Sequence, residues 1–118
     1  MEFYNLLQKD LDADFIQQHL RLDNLDQYCD FINHIVNSND NRGEIYCGWG
    51  LFSMQREIIK KGIRISLLNC PNALAFTITK EEQGVVLHCT INTAEPCQDF
   101  IESIELFLSD LKTGIAKF

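Results

Sequence analysis

This chain has little of what usually announces a chemistry. In 118 residues it holds one tryptophan, two prolines, six glycines and three histidines, and the glycines never gather into a phosphate-cradling loop. It has no His-x-x-x-His pair, no GxSxG elbow and no tight Asp/Glu/His cluster, so metal-assisted, nucleophilic and nucleotide-dependent reactions have no signal here. The carboxylates fall on faces expected to meet water, where nothing shifts them toward acid–base work. Enzymatic activity is disfavoured, and neither a cofactor nor a metal is expected. No apolar run approaches the ~18 residues that span a bilayer. Met1-Glu2-Phe3-Tyr4-Asn5 also lacks the basic start and apolar segment of a signal peptide. A cytoplasmic location is expected, with no membrane partner. Cys29, Cys47, Cys70, Cys89 and Cys97 are odd in number and contain no CxxC spacing, which argues against a disulfide framework or a zinc ribbon and for small buried hydrophobes.

Basic residues are also scarce, and they are unevenly placed. The net charge is −7. Residues 1–40 carry eight acids and two bases, residues 41–80 two acids and six bases, and residues 81–118 seven acids and two bases. Such a balance speaks against nucleic acid as a partner, because phosphate binding needs a basic surface. It suits a basic protein partner whose approach is steered by charge. Arg56, Lys60, Lys61 and Arg64 make the one basic concentration and read as a solvated face.

The length fits one domain, spanning residues 1–118, and the periodicity divides it into a helical part (1–40), a mainly antiparallel sheet (44–92) and a C-terminal helix (93–113). The expected fold class is α+β, with N-terminal helices, an antiparallel β-meander and a C-terminal helix packed on the sheet. Phe3, Leu6 and Leu7 suggest a short helix over Glu2–Leu11. Phe15, Ile16, His19 and Leu20 share the face of a second helical piece, with Asp12 or Asp14 as its cap. Leu25, Tyr28, Cys29, Ile32, Ile35 and Val36 recur at helical spacing and predict a third helix, ending by Asn37 at the polar run Ser38–Gly43.

From Glu44 the period changes to two, predicting a strand through about Trp49 with a bend at Gly48-Trp49-Gly50. Trp49 is expected in the core. Ser53–Gly62 fits a helix with Ser53 as cap and Gly62 past its end, and also fits a strand turning at Lys60-Lys61-Gly62; the helix is favoured. Three alternating segments follow, Ile63–Leu67, Leu74–Ile78 and Val85–Ile91, joined by turns at Asn69–Asn72 and Lys80–Gly84. His88 and Cys89 point to opposite faces of their strand and cannot form a nucleophilic pair. The last helix is predicted from a Thr93 cap, with Pro96 in its first turn, an apolar face of Cys97, Phe100, Ile101, Ile104, Phe107, Leu108 and Leu111, and a stop at Gly114.

The outer side of that helix presents Glu95, Asp99, Glu102 and Asp110 with Leu106 among them. Asp26 and Asp30 form a second acidic patch. These six acids are the candidate partner-binding residues, chosen from charge and expected exposure. The acidic helical N-terminus, the stretch Trp49–Glu57, the segment Cys70–Thr77 and the closing Phe100-Ile101-Glu102-Ser103-Ile104 resemble small immunity proteins encoded beside bacterial polymorphic toxins, including contact-dependent growth-inhibition systems. The resemblance spans roughly Gly48–Leu111. It implies a protein that binds and neutralises one cognate protein toxin, often a nuclease, and assigns no individual residue. An acidic effector chaperone acting as a homodimer is the alternative, and a monomer is expected ahead of a homodimer.

Overall fold

The computed structural model describes residues 1–39 and 41–118. Asp40, inside the polar turn expected between Asn37 and Glu44, lies outside the described residues. Among the described residues the chain forms seven strands and three α-helices: β1 Glu2–Leu7, α1 Ala13–His19, α2 Leu25–Tyr28 (entered by a 3₁₀ turn, Leu22–Asn24), β2 Ile32–Ser38, β3 Arg42–Cys47, β4 Gly50–Ile59, β5 Gly62–Leu67, β6 Ala75–Glu81, β7 Gly84–Thr90 and α3 Gln98–Ile115. The strands make one antiparallel sheet in the order β1-β7-β6-β5-β4-β3-β2. Strands β2 to β7 are a continuous meander, and β1 closes on the far side of β7.

The α+β class and the C-terminal helix on the sheet are as the periodicity implied. Three local expectations are corrected. Residues 2–7 are a strand, because Phe3, Asn5 and Leu7 pair with Cys89, Leu87 and Val85 of β7, and aromatic side chains suit a pleated surface. The third helix ends at Tyr28, and residues 32–38 are an edge strand whose register shifts between Ile32 and His34 and again between Ile35 and Asn37. Each shift inserts a residue, so Ile32 and Ile35, three apart, both turn toward the core and imitate helical spacing. Residues 50–59 are strand β4, paired with β5 from Met54–Leu67 to Ile59–Gly62. The alternation there wins over the cap and stop signals, and Lys60-Lys61 is a hairpin turn. A Cβ on Gly62 would collide with the Ile78 carbonyl, so glycine serves sheet packing there and not helix termination.

One face of the sheet is covered. Helix α1 lies on β5 and β6, α3 on β1 and β7, and α2 beside β2 and α3. Ile16, Leu20, Ile45, Met54, Ile63, Ile65, Ile78, Val85, Leu87, Cys89, Ile104, Phe107 and Ile115 are buried in one cluster between the layers. Among the described residues the opposite face has no helix on it and consists of largely polar rows, for instance exposed Tyr4, half-buried His88 and Thr77, and exposed Arg64 and Glu57 side by side across five strands.

The basic group read as solvated is split by this arrangement. Arg56 points inward from β4 and is buried. Its Nε donates to the Leu20 carbonyl at 2.9 Å and its Nη2 to the Gln17 carbonyl, satisfying acceptors that the end of α1 leaves without helical partners. Asn24, also buried, accepts from Arg21 N–H at 2.9 Å and donates to the His19 carbonyl at 2.7 Å. These two side chains fix where α1 stops.

Candidate functional site: the acidic side of α3

Helix α3 starts later than its cap signals suggest. Thr93 donates its hydroxyl to the Asn72 side chain at 2.6 Å, fastening the connection to the β5–β6 turn. The helix opens at Gln98 with Cys97 at the N-cap position. Pro96 therefore precedes it, and Glu95 lies in the exposed approach and not on a helical row. At the other end α3 runs through Gly114 to Ile115. A Cβ on Gly114 would strike the Tyr28 carbonyl, so that glycine is where α3 and α2 touch.

The inward stripe of α3 is Ile104, Phe107, Leu108, Leu111 and Ile115. With about 100° per residue, Asp99, Ser103, Leu106 and Asp110 fall on the flank toward α2 and β2. Glu102 lies on the crest, and Glu105 and Lys112 lie on the flank toward β1. Contacts agree: the Trp49 indole donates to Ser103 Oγ at 2.8 Å, whereas Glu105 and Leu108 line a recess with Phe3, Tyr4 and Asn5. Trp49 is half-buried against Phe31 and Phe107, with ring centroids 4.5 and 5.3 Å away. It is part of the wall behind the site.

The six candidate acids meet different fates. Asp99, Glu102, Asp26 and Asp30 are exposed, as is Glu95. Asp110 is corrected: its carboxylate is half-buried and accepts from Phe31 N–H at 2.8 Å and from the Cys29 thiol at 3.3 Å. That carboxylate stitches α3 to the start of β2, and it explains why the third helix ends where it does. Burial, with Asp110 adding to it, pushes the Cys29 thiol up from 9.0 to about 12, so this cysteine is an inert thiol.

Asp110 and Asp30, one from each expected patch, nevertheless line the same recess of about 330 Å³ with Phe31, Asn33, Gly48 and Leu106. The two patches thus meet at this recess. Leu106 also lines it and is 63% exposed. Glu105, exposed on the next position, was not among the candidates; it is one helical turn from Glu102 but lies on the β1 flank, away from Leu106.

Among the described residues no group of three His, Cys, Asp or Glu side chains is placed to hold a metal ion, and no helix is long and apolar enough to cross a membrane. Comparison of the chain with protein-family models, curated proteins and solved structures finds no match.

Proposed function

We propose that this protein is an immunity protein that captures a basic protein domain, a bacterial toxin nuclease, on the acidic side of α3. The observation that carries the reading is Leu106: a large apolar side chain left in water, lining a recess with Asp30 and Asp110 and one helical turn from the exposed Glu102. Interfaces draw most of their affinity from a few apolar or aromatic anchors at the centre, while rim charges govern encounter. A nuclease cleft must be basic to hold phosphates, so an acidic rim around an apolar anchor complements it. The effector-chaperone alternative calls for a continuous apolar groove. The exposed apolar side chains on the strands are dispersed instead: Tyr46 and Leu51 form one cross-strand pair of β3 and β4, Tyr4 and Leu6 lie on β1 at the far edge of the sheet, and Ile58 is on the other face of β4.

The test is co-expression and co-purification with the polypeptide encoded by the neighbouring reading frame, together with a growth-protection assay. A complex and protection are expected. Leu106→Glu should weaken the complex about 100-fold through faster dissociation, whereas Asp99→Lys with Glu102→Lys should mainly slow association and flatten its salt dependence. If the neighbour's product is not toxic and binds nothing, the reading fails.

A further inference from the structure

The two edges of the sheet are finished differently. Edge strand β2 carries two register shifts and the exposed polar residues Asn33, His34 and Asn37, which blunt an edge against pairing. Edge strand β1 has no register shift, and Glu2 at its start is its one exposed polar residue. Its register with β7 runs unbroken over six pairs, it holds no proline or lysine, and Tyr4 and Leu6 are 65% and 37% exposed. Met1 and Ile91 exchange both backbone hydrogen bonds, Met1 N to Ile91 O at 2.9 Å and Ile91 N to Met1 O at 3.0 Å. Counting from that pair, Phe3, Asn5 and Leu7 turn their peptide groups to β7, and Glu2, Tyr4 and Leu6 turn theirs outward.

We propose that β1 pairs with β1 of a second copy of this chain, antiparallel about a two-fold axis at Asn5, joining two sheets into one. Faces must match across such a pair, which allows registers centred on a residue but not between residues. Centring on Tyr4 sets Glu2 against Leu6 and Phe3 against Asn5. Centring on Asn5 sets Tyr4 against Leu6 on the open face, Phe3 against Leu7 on the helical face, and Asn5 against itself. Only the second matches apolar with apolar on both faces, and it leaves the outward peptide groups of Tyr4 and Leu6 bonded to each other.

The helices supply the charge complementarity. Lys9 Nζ donates to the Ala116 carbonyl at 2.9 Å, while Phe3, Tyr4 and Asn5 share a recess with Glu105 and Leu108. Helix α3 therefore runs alongside β1 in the same direction. Advancing from that recess to Asn5 at about 3.3 Å per strand residue against 1.5 Å per helix residue puts the axis level with Leu108 and Ser109. Strands lie ~4.8 Å apart, so an α3 seated over β1 and β7 finds its copy about 10 Å away, at helix-packing distance.

In that antiparallel pair Glu105 faces Lys112 of the other copy, twice. Neither side chain forms an ion pair within its own chain among the described residues. The Leu106 flank stays free, so the assembly goes beyond the function proposed above and does not depend on it. It departs from the monomer that the sequence suggests. One six-residue strand pair and a helix flank make a small interface by the standards of stable dimers, and association is expected at about 10–100 μM.

Sedimentation equilibrium of the whole chain over about 1–300 μM tests this. The mass should rise from 13.6 kDa toward twice that value. Leu6→Lys should hold it at the monomer with an unchanged circular dichroism spectrum. Lys112→Glu should raise the dissociation constant tenfold or more, and the double exchange Glu105→Lys with Lys112→Glu should restore it. A monomer at every concentration overturns the proposal. So does a dimer that survives Leu6→Lys, or an exchange that restores nothing.

Discussion

The two faces of the sheet are built from the same strands but obey different rules. On the helical face of the central strands the side chains, apart from Arg56 and the exposed Ile58 near the end of β4, are apolar and sealed: Met54, Ile63, Ile65, Phe76, Ile78, Val85, Leu87 and Cys89 are all buried. On the open face the neighbours of those residues are Gln55, Arg64, Ser66, Thr77, Thr79, Val86, His88 and Thr90, most of them half-buried by one another. His88 illustrates the difference. It lies flat on Tyr4, with centroids 4.3 Å apart and planes 7° from parallel, and its Nε2 is 3.3 Å from a Glu2 carboxylate oxygen. The open face thus stabilises itself through cross-strand neighbours, while the helical face depends on exclusion of water.

The sharpest way to break this comparison uses two arginines on adjacent strands. Arg56 points into the helical layer and Arg64 into the open face. Arg56→Met would orphan the Gln17 and Leu20 carbonyls, at a cost of about 1–3 kcal/mol for each buried acceptor left unpaired. Arg64→Met is expected to change stability by no more than about 0.5 kcal/mol, as at most exposed positions. Urea unfolding of the two variants decides it. Equal losses would mean that the open face is as tightly bound as the covered one.

The same pair shows what the sequence made legible. Strands β5, β6 and β7 could be read from strict alternation, since each has an apolar side chain at every second position. So could the body of α3, whose inward stripe holds a helical period over about three turns. Arg56 could not, because a charged residue next to Lys60 and Lys61 reads as solvated unless the carbonyls of α1 are known to lie above it. The register shifts in β2 hid a strand inside a helical pattern, and β1 was too short to outvote the spacing of Phe3, Leu6 and Leu7. At the candidate site, exposure of Asp99 and Glu102 followed from helix phase and polarity; Asp30 is exposed too, but the helix whose phase placed it outward ends at Tyr28. The engagement of Asp110 did not, because its partners, Phe31 N–H and the Cys29 thiol, lie about eighty positions away in sequence and meet it only through packing.

A second, smaller effect separates the faces by pH. The Cys29 and Cys89 thiols, both on the helical side, are pushed up from 9.0 to about 12, mainly by burial. Between those values the unfolded chain has lost protons that the folded chain keeps, so stability falls as pH rises. The slope is about 1.4 kcal/mol per pH unit for each cysteine. Under reducing conditions, unfolding free energy measured at pH 8 and pH 10.5 should drop by roughly 2 kcal/mol per buried thiol. Cys89→Val should remove its share of the drop. A pH-independent profile would show that water reaches these thiols. Cys97 is exposed and should be alkylated in the native protein, whereas Cys29 and Cys89 should react only on unfolding.

The smallest effect is expected at the rim, where Lys80 Nζ meets the Asp10 carboxylate at 2.6 Å. The hydrogen bond and charge of Lys80 hold the Asp10 carboxyl below its ordinary value, and Asp10 in turn holds Lys80 up. A depressed carboxyl contributes stability that is present above its unfolded value and is lost as pH falls through the folded one, while the raised ammonium adds stability that is lost only as pH rises past the ordinary lysine range. Both side chains are in water, where an ion pair is screened and held at a cost in side-chain entropy. Asp10→Asn should therefore leave the unfolding midpoint at pH 7 nearly unchanged and remove only a slight acid-side slope. Should it instead lower the midpoint as far as Arg56→Met does, this exposed pair would be fixing the β1–α1 connection onto the β6–β7 hairpin, and the division between a sealed face and a self-supporting remainder would have to be redrawn around that corner.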